Sequence, residues 1–264
     1  MYAFDYLRPR SLDEALAALR ADAEAKLLAG GMTLLPTMKL RLARPSCLID
    51  LNRLSGLDGV RIEGETLVIG ALTRHADVAA SELVRARLPA LAALAAEIGD
   101  AQVRHRGTLG GSLANHDPAA DYPAAALALG ATIETTARRI AADDFFTGLF
   151  ETALAAHEIV TAVHFPLARR AAYAKFPQPA SRYAMTGVFV AAGAEGVRVA
   201  VTGAGPGVFR VPAMEAALAR TFTPDAVLGI AIHADGLNDD LHASSAYRAH
   251  LVGILAARAV QAAS

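Results

Sequence analysis

The stretch Arg104-His105-Arg106-Gly107-Thr108-Leu109-Gly110-Gly111-Ser112-Leu113-Ala114-Asn115-His116-Asp117-Pro118-Ala119-Ala120-Asp121-Tyr122-Pro123 gathers a cationic approach, a hydroxyl, a Gly pair, carboxylates and prolines. An apolar run from Ala124 to Leu129 follows it. A Gly-Gly step lets backbone N–H groups converge on an anion without obstruction by Cβ atoms. Such amides, or a helix N-terminus, form a nest for phosphate. Gly, Pro, Asn and Asp are also ordinary turn residues, so a lone Gly pair reads first as a surface turn. A second Gly pair, in Ala29-Gly30-Gly31-Met32-Thr33-Leu34, raises another possibility: a diphosphate-bearing cofactor held between two loops.

The remaining reactive side chains assemble into no catalytic set. There is no G-x-S-x-G, no H-E-x-x-H and no catalytic Cys motif. His105, His116 and His164 are scattered over loop and strand positions and read as structural or solvent-facing. His75 falls in a helical turn with no second His at ligand spacing, so it reads as structural or solvated rather than as a metal ligand. Any redox chemistry must therefore be carried by a cofactor. The cluster Gly203-Ala204-Gly205-Pro206-Gly207 lacks G-x-G-x-x-G spacing and is followed by no helix pattern, so it reads as a tight exit from a strand. The acidic loop Asp235-Gly236-Leu237-Asn238-Asp239-Asp240 lacks EF-hand order and reads as solvated.

The elements that must position the two Gly pairs follow from periodicity. Ser11-Leu12-Asp13-Glu14 is a capping box, and Leu12, Leu16 and Leu19 continue it as a first helix. Lys26-Leu27-Leu28-Ala29 reads as a short buried strand ending in Gly30-Gly31. A second helix after Thr33 would turn Leu34, Leu35, Met38 and Leu42 inward, with Pro36 tolerated in its first turn. Cys47-Leu48-Ile49-Asp50-Leu51 is the next strand, which together suggests a small parallel βαβ unit.

A second pattern begins near Leu57. Val60-Arg61-Ile62 and Thr66 to Ala71 form a hairpin-like pair, and Leu88 to Ile98 an Ala/Leu-rich helix ending at Gly99. Thr132 to Thr135, Arg139 to Ala141 and Glu158 to Pro166 read as strands, with Asp143 to Thr147 as a turn. Leu167 to Ala174 reads as a crossing between lobes. Beyond it come strands at Tyr173 to Phe176, Tyr183 to Ala192 and Val197 to Thr202, then helices at Ala213 to Ala219 and Ser245 to Ala262.

Bulk properties bound the function. The chain has 264 residues, long enough for a sizeable core in one large domain or two. Hydrophobic content of 54% against 19% charged residues is that of a globular protein. A net charge of -1 gives no electrostatic case for nucleic acid or an anionic membrane surface. Cys47 is the only cysteine, which excludes an intrachain disulfide and a thiolate-ligated iron–sulfur cluster on this chain. It reads as a small apolar strand residue. Met1 to Arg10 carry no continuous apolar segment, and no uncharged apolar run approaches the ~20 residues that cross a bilayer. No signal peptide is expected, no membrane insertion, and a cytoplasmic location, or a peripheral one at the inner face of the membrane through partners.

Ala29-Gly30-Gly31-Met32-Thr33, Thr108-Leu109-Gly110-Gly111-Ser112 and Asp117-Pro118-Ala119-Ala120-Asp121-Tyr122-Pro123 together resemble the flavin motifs of the FAD-binding medium subunit of molybdenum hydroxylases. That family carries an A-G-G-x-S/T loop and a T-I/L-G-G-N/S loop followed by D-P-x-x-D-x-P. The resemblance runs from Phe4-Asp5-Tyr6-Leu7-Arg8-Pro9 to Ser245-Ala246-Tyr247-Arg248. The carbon monoxide dehydrogenase branch is the most similar, on Phe145 to Thr152 and Ala180-Ser181-Arg182-Tyr183. Met32 departs from the pattern, standing where His, Gln or Thr is common; a backbone contact there would survive but a side-chain hydrogen bond would not.

The resemblance implies an α+β fold: a two-subdomain FAD-binding domain of the vanillyl-alcohol-oxidase (PCMH) type over residues 1–166, divided at about 55, and a small α+β C-terminal domain over 167–264. It implies FAD on this chain, wrapped by Ala29, Gly30, Gly31, Met32, Thr33 and Leu34 and by Thr108, Leu109, Gly110, Gly111 and Ser112, mainly through backbone amides and the Thr33, Thr108 and Ser112 hydroxyls. Asp121 would accept hydrogen bonds from the cofactor's sugar hydroxyls, although it also reads as a helix N-cap before Pro123. Lys175 and Tyr183 would face the isoalloxazine, Tyr183 by stacking, with a strand-core aromatic as its other reading. Val160 would lie beside the flavin. The implied function is an electron-transfer oxidoreductase subunit: a large partner with molybdenum cofactor oxidises the substrate, a small partner's 2Fe–2S clusters relay electrons, and this chain's FAD passes them to an external acceptor, in a dimer of heterotrimers. A hydroxylase for an aldehyde, purine or other N-heterocycle would use the same chain. A self-contained flavin oxidase lacks a base and pocket motif, and a flavin-free scaffold subunit is at odds with two intact Gly pairs.

Overall fold

The computed structural model describes residues 1–263. The N-terminal lobe is a three-stranded parallel sheet in the order Asp5–Leu7, Cys47–Asp50, Lys26–Leu28. The N-cap forms as the sequence predicts, with Ser11 Oγ accepting from the Glu14 amide at 3.1 Å to start the helix Leu12–Ala21, but the Glu14 carboxylate closes on the Arg10 amide at 2.8 Å and not on that of Ser11. Ala15 and Leu19 of that helix pack with Ile49, Leu51 and Leu54.

The second helix is shorter than the apolar stripe suggests, covering Leu34–Lys39. Arg41 adopts a left-handed φ of 62°, its amide bonds to Met38 O, and the Leu42 amide bonds to Thr37 O. These two bonds form a Schellman stop with arginine where glycine is usual, which hides it from the sequence. Leu42 is consequently 77% exposed rather than inward-facing.

The middle lobe is a five-stranded antiparallel sheet, ordered Val60–Glu63, Thr66–Gly70, Val160–Pro166, Thr132–Thr135, Arg139–Ala141. Alternation puts Leu67, Ile69, Ile133, Val163 and Phe165 in the core, where they meet the helices Pro89–Ala96 and Tyr122–Ala128. Every residue of Tyr122–Ala128 is buried, which its small Ala side chains permit. The segment expected as a turn at 143–147 is a one-turn helix, Ala142–Phe145, leading into the short strand Phe146–Gly148.

The third lobe is a four-stranded antiparallel sheet, ordered Arg170–Pro177, Ala184–Gly193, Gly196–Thr202, Phe209–Arg210. Its fourth strand is two residues long, too short to register as a pattern. The helices Pro212–Arg220 and Ser245–Ala262 cover one side of the sheet. Arg248 of the last helix is buried and donates to Met185 O, to Gly203 O and to Asp240, fixing the loop expected to be solvated. Gly203 takes a positive φ of 79° at the strand exit, as its reading requires. Among the described residues no helix is long and apolar enough to cross a membrane.

Candidate cofactor-binding site

A cleft of about 740 Å³ lies between the first two lobes, with the third at one end. The first Gly loop lines it throughout, from Ala29 to Leu34. Thr108, Gly110, Gly111 and Ser112 line it from the second Gly segment, and Asp121, Val160 and Tyr183 complete the walls. Ala29 and Tyr183, 154 positions apart in sequence, thus share one cavity.

The strand Lys26–Leu28 ends at the cleft and hands the chain to Gly30 and Gly31. Gly31 takes a φ of 72°, which an L side chain would resist. Gly30 is buried against the other loop: a Cβ there would stand 2.2 Å from Arg106 O. The amides of Gly30, Gly31, Met32, Thr33 and Leu34 have no hydrogen-bond partner among the described residues. Neither does the Thr33 hydroxyl, since this N-cap residue makes no side-chain cap bond. Successive free N–H groups on a glycine turn make a concave donor surface for an anion.

The second Gly pair behaves differently from its sequence reading. It lies inside the helix Leu109–Asn115, not in an open loop. Its amides are consumed: Leu109 N donates to Thr73 O, Gly110 N to Ala71 O at 2.8 Å, and Ser112 N to Thr108 O. Thr108 Oγ1 caps the helix by accepting from Gly111 N at 3.2 Å. The reason for glycine here is close approach, because a Cβ on Gly110 would lie 2.6 Å from Ala71 Cβ. Leu109 itself does not line the cleft; its side chain is fully buried in the core. Of this segment the Thr108 amide and the Ser112 hydroxyl stand without a partner among the described residues, and the two glycines supply surface. A G-G pair alone does not distinguish a nest from a packing contact, so the sequence assigned amide donors to both.

Three residues not singled out from the sequence lock the two segments together. Asn52 Nδ2 donates to Ala29 O at 2.8 Å and to Asp50 Oδ1 at 2.6 Å. Arg74 donates through Nη2 to Asn52 Oδ1 at 2.8 Å and through Nη1 to Arg106 O at 2.7 Å. Tyr6 donates to Asp50 from the first strand. The chain connecting Ala29 to Arg106 is therefore a run of side-chain bonds across the interlobe seam, and sequence separations of 22 to 44 positions left no local signal.

Asp121 occupies the N-cap position of Tyr122–Ala128 but makes no capping bond. Its Oδ1 instead accepts from Tyr173 Oη at 2.7 Å and lies 2.8 Å from Lys175 Nζ. Lys175 therefore does not line the cleft as a free cation facing a ring; its side chain is 2% exposed and also donates to Glu97 O. Complete burial pushes the Asp121 carboxyl up from the usual carboxylate range, against the opposing pull of the Lys175 ammonium and the Tyr173 hydroxyl. The strand Arg170–Pro177 carries Tyr173 and Lys175 to the same side at spacing two, which is how both reach one oxygen.

Tyr183 is 46% exposed and lines the cleft, so the strand-core reading gives way; it stands just before the strand Ala184–Gly193. Val160 is buried at the start of Val160–Pro166 and also lines the cleft. His75, read as structural or solvated, is buried at the cleft wall, and burial followed by the charges of Arg104 and Arg74 lowers its pKa to about 4.

This arrangement can hold an elongated molecule with an anionic middle. The five free amides of the first loop and the Thr33 and Ser112 hydroxyls offer donors, while Gly30 and Gly110 let the cleft segments pack against Arg106 O and Ala71. Val160, Leu72 and Ile98 supply apolar wall. FAD, with its pyrophosphate between two ring systems, fits this donor set.

Comparison with known proteins agrees. Residues 2–168 match the family described as the FAD binding domain in molybdopterin dehydrogenase. The chain is 38% identical to the carbon monoxide dehydrogenase medium chain of Hydrogenophaga pseudoflava, over 98% of this chain and 96% of that one. It is 36% identical to the nicotine 6-hydroxylase medium subunit of Paenarthrobacter nicotinovorans, over 98% and 96% respectively. A chain in the solved structure of Hydrogenophaga pseudoflava carbon monoxide dehydrogenase lacking the Mo-pyranopterin moiety superposes with a TM-score of 0.89 at 37% identity, covering 99% of this chain and 97% of that one. The fold is the PCMH-type FAD-binding fold, and this chain belongs to the family of FAD-binding domains of molybdopterin dehydrogenases.

Proposed function

We infer that this chain is the FAD-carrying electron-transfer subunit of a molybdenum hydroxylase complex, of the carbon monoxide dehydrogenase kind. The observation that carries the reading is the free-amide loop Gly30 to Leu34 facing the packed segment Thr108 to Ser112 across one cleft, in a chain without a nucleophile–base set. Bound FAD would supply reversible two-electron chemistry that no side chain here provides.

The residues have separable tasks. The Gly30 to Leu34 amides and the Thr33 and Ser112 hydroxyls would hold the pyrophosphate and its flanking sugar by hydrogen bonds. Asp121, fixed by Tyr173 and Lys175, would accept from the cofactor's hydroxyls; Lys175 acts by holding Asp121, not by facing the flavin. Tyr183 would cover one face of the ring system, and Val160 would pack beside the flavin. Met32 contributes its amide, so its apolar side chain removes no donor from the cradle.

The division at residue 166 separates the FAD-binding part from the third lobe, whose sheet supplies Tyr173 and Lys175. In the proposed assembly, a large molybdenum-cofactor subunit oxidises the substrate and a small subunit's 2Fe–2S clusters deliver electrons, with two heterotrimers forming the complex. The similarity of this chain to the medium subunits of both a carbon monoxide and a nicotine enzyme supports a substrate chosen by the large partner. The test is an absorbance spectrum of the purified chain before and after adding FAD, with copurifying subunits identified. Flavin bands near ~450 nm that bleach on reduction are expected; absence of flavin uptake by both the chain and its complex would leave a scaffold subunit.

A further inference from the structure

Three buried side-chain atoms have no hydrogen-bond partner among the described residues: His75 Nδ1, Tyr122 Oη and Arg248 Nε. Only His75 belongs to a residue that lines the cleft. Its imidazole is 5% exposed and held from several directions. The His75 amide donates to Gly107 O at 3.0 Å. The ring rests on Gly107, where a Cβ would come within 2.4 Å of Nε2. The Tyr122 ring packs beside it with centroids 5.3 Å apart. A buried polar ring without a partner destabilises a fold, and an apolar ring of similar size would not. The other ring nitrogen, Nε2, also makes no hydrogen bond among the described residues, and it is not one of the sealed atoms.

We propose that His75 is a hydrogen-bonding contact for the FAD held in this cleft, made through Nε2, the ring nitrogen not sealed within the protein. The inference rests on the FAD reading above and adds a residue that neither Gly motif contains. Burial and the nearby Arg104 and Arg74 charges keep the ring neutral at physiological pH, with a pKa of about 4. A neutral imidazole offers one donor and one acceptor and adds no charge to the cavity. Gly107, adjacent to Thr108, is then required for the space it leaves to the ring, which ties the second motif to this contact.

The experiment uses the full chain, stripped of flavin and titrated with FAD by fluorescence quenching, as wild type, His75→Phe and Tyr122→Phe. The expected result is a dissociation constant at least ~10-fold weaker for His75→Phe. Tyr122→Phe, which removes the other orphaned group, should bind as wild type does. The flavin-free His75→Phe chain should melt no lower than wild type, because it loses an unpartnered nitrogen and keeps ring volume. A His75→Phe chain that binds FAD within about twofold of wild type overturns the inference and leaves the FAD reading intact. A wild-type chain that takes up no FAD overturns both. Should His75→Phe fail to fold, ¹⁵N-histidine spectra of the wild type decide: displacement of the His75 Nε2 resonance on adding FAD supports the contact, and an unmoved resonance overturns it.

Discussion

Lys175 Nζ lies 2.8 Å from Asp121 Oδ1, and each side chain is only 2% exposed. The pair joins the third lobe to the cleft wall, because Lys175 sits on the strand Arg170–Pro177 and Asp121 at the start of Tyr122–Ala128. Removing the cation would leave a buried carboxylate with one remaining donor, Tyr173. Lys175→Met should therefore destabilise the chain by about 3–5 kcal/mol in urea unfolding. Adding Asp121→Asn to it should recover part of the loss, since no uncompensated charge then remains. A double-variant cost equal to the sum of the Lys175→Met and Asp121→Asn costs would mean that the pair is energetically independent.

Gly30 is where the two cleft loops touch. A methyl there meets the Arg106 carbonyl at 2.2 Å, a backbone atom that cannot rotate away. Gly30→Ala should cost roughly 1–3 kcal/mol and weaken FAD binding, because the loops must separate to admit it. Calorimetry of the flavin-free chain together with an FAD titration would check both effects. A variant with unchanged melting and unchanged FAD affinity would contradict this geometry.

Thr108 supplies the cap of the helix Leu109–Asn115 through Oγ1 and is 2% exposed. Thr108→Val keeps the shape and deletes the acceptor. The expected loss is about 1 kcal/mol, or roughly 2–4 °C in melting temperature for a domain of this size. Thr108→Ser should retain most of it.

The His75 ring titrates at about 4 in the folded chain against 6.5 when free. The folded pKa is depressed for a base, so the unfolded chain takes up the proton first as pH falls. Stability from this group is intact above about pH 6.5, declines from there to about pH 4 and is level below. Between pH 7 and pH 5 the decline should be about 2 kcal/mol, and His75→Phe should abolish that segment of the profile. Urea midpoints at the two pH values measure it.

Glu158 adds a separate acid limb. Burial pushes its carboxyl up, but hydrogen bonds from Arg138, the Ala155 amide and Thr135 outweigh burial and hold it at about 2. The folded pKa is depressed for an acid, so its stabilisation is full above about pH 4.5 and is lost as pH falls from there to about 2. Glu158→Gln should flatten that limb and lower stability at neutral pH by roughly 1–3 kcal/mol. An unchanged acid limb in the variant would assign it to other carboxylates.

What the sequence determined was local or motif-borne. The Ser11 N-cap, the alternating strands and the positive-φ glycines at 31, 99 and 203 depend on neighbours a few positions away, and they form where their residue types place them. Both Gly pairs reached the cleft for the same reason: glycine at these positions is legible as a demand for bare backbone. What the glycines were for was decided in three dimensions. At Gly30 to Leu34 the amides stay free, whereas at Gly110 and Gly111 an identical pair is absorbed into a helix by Ala71 O and Thr108 Oγ1. Lys175 likewise read as a free cation, until the fold carried it against Asp121, 54 positions earlier. Arg74, Asn52 and His75 carried no signal of their own. Their roles come from partners across the interlobe seam, and burial in that seam sets which charges pair and which nitrogen is left without a partner.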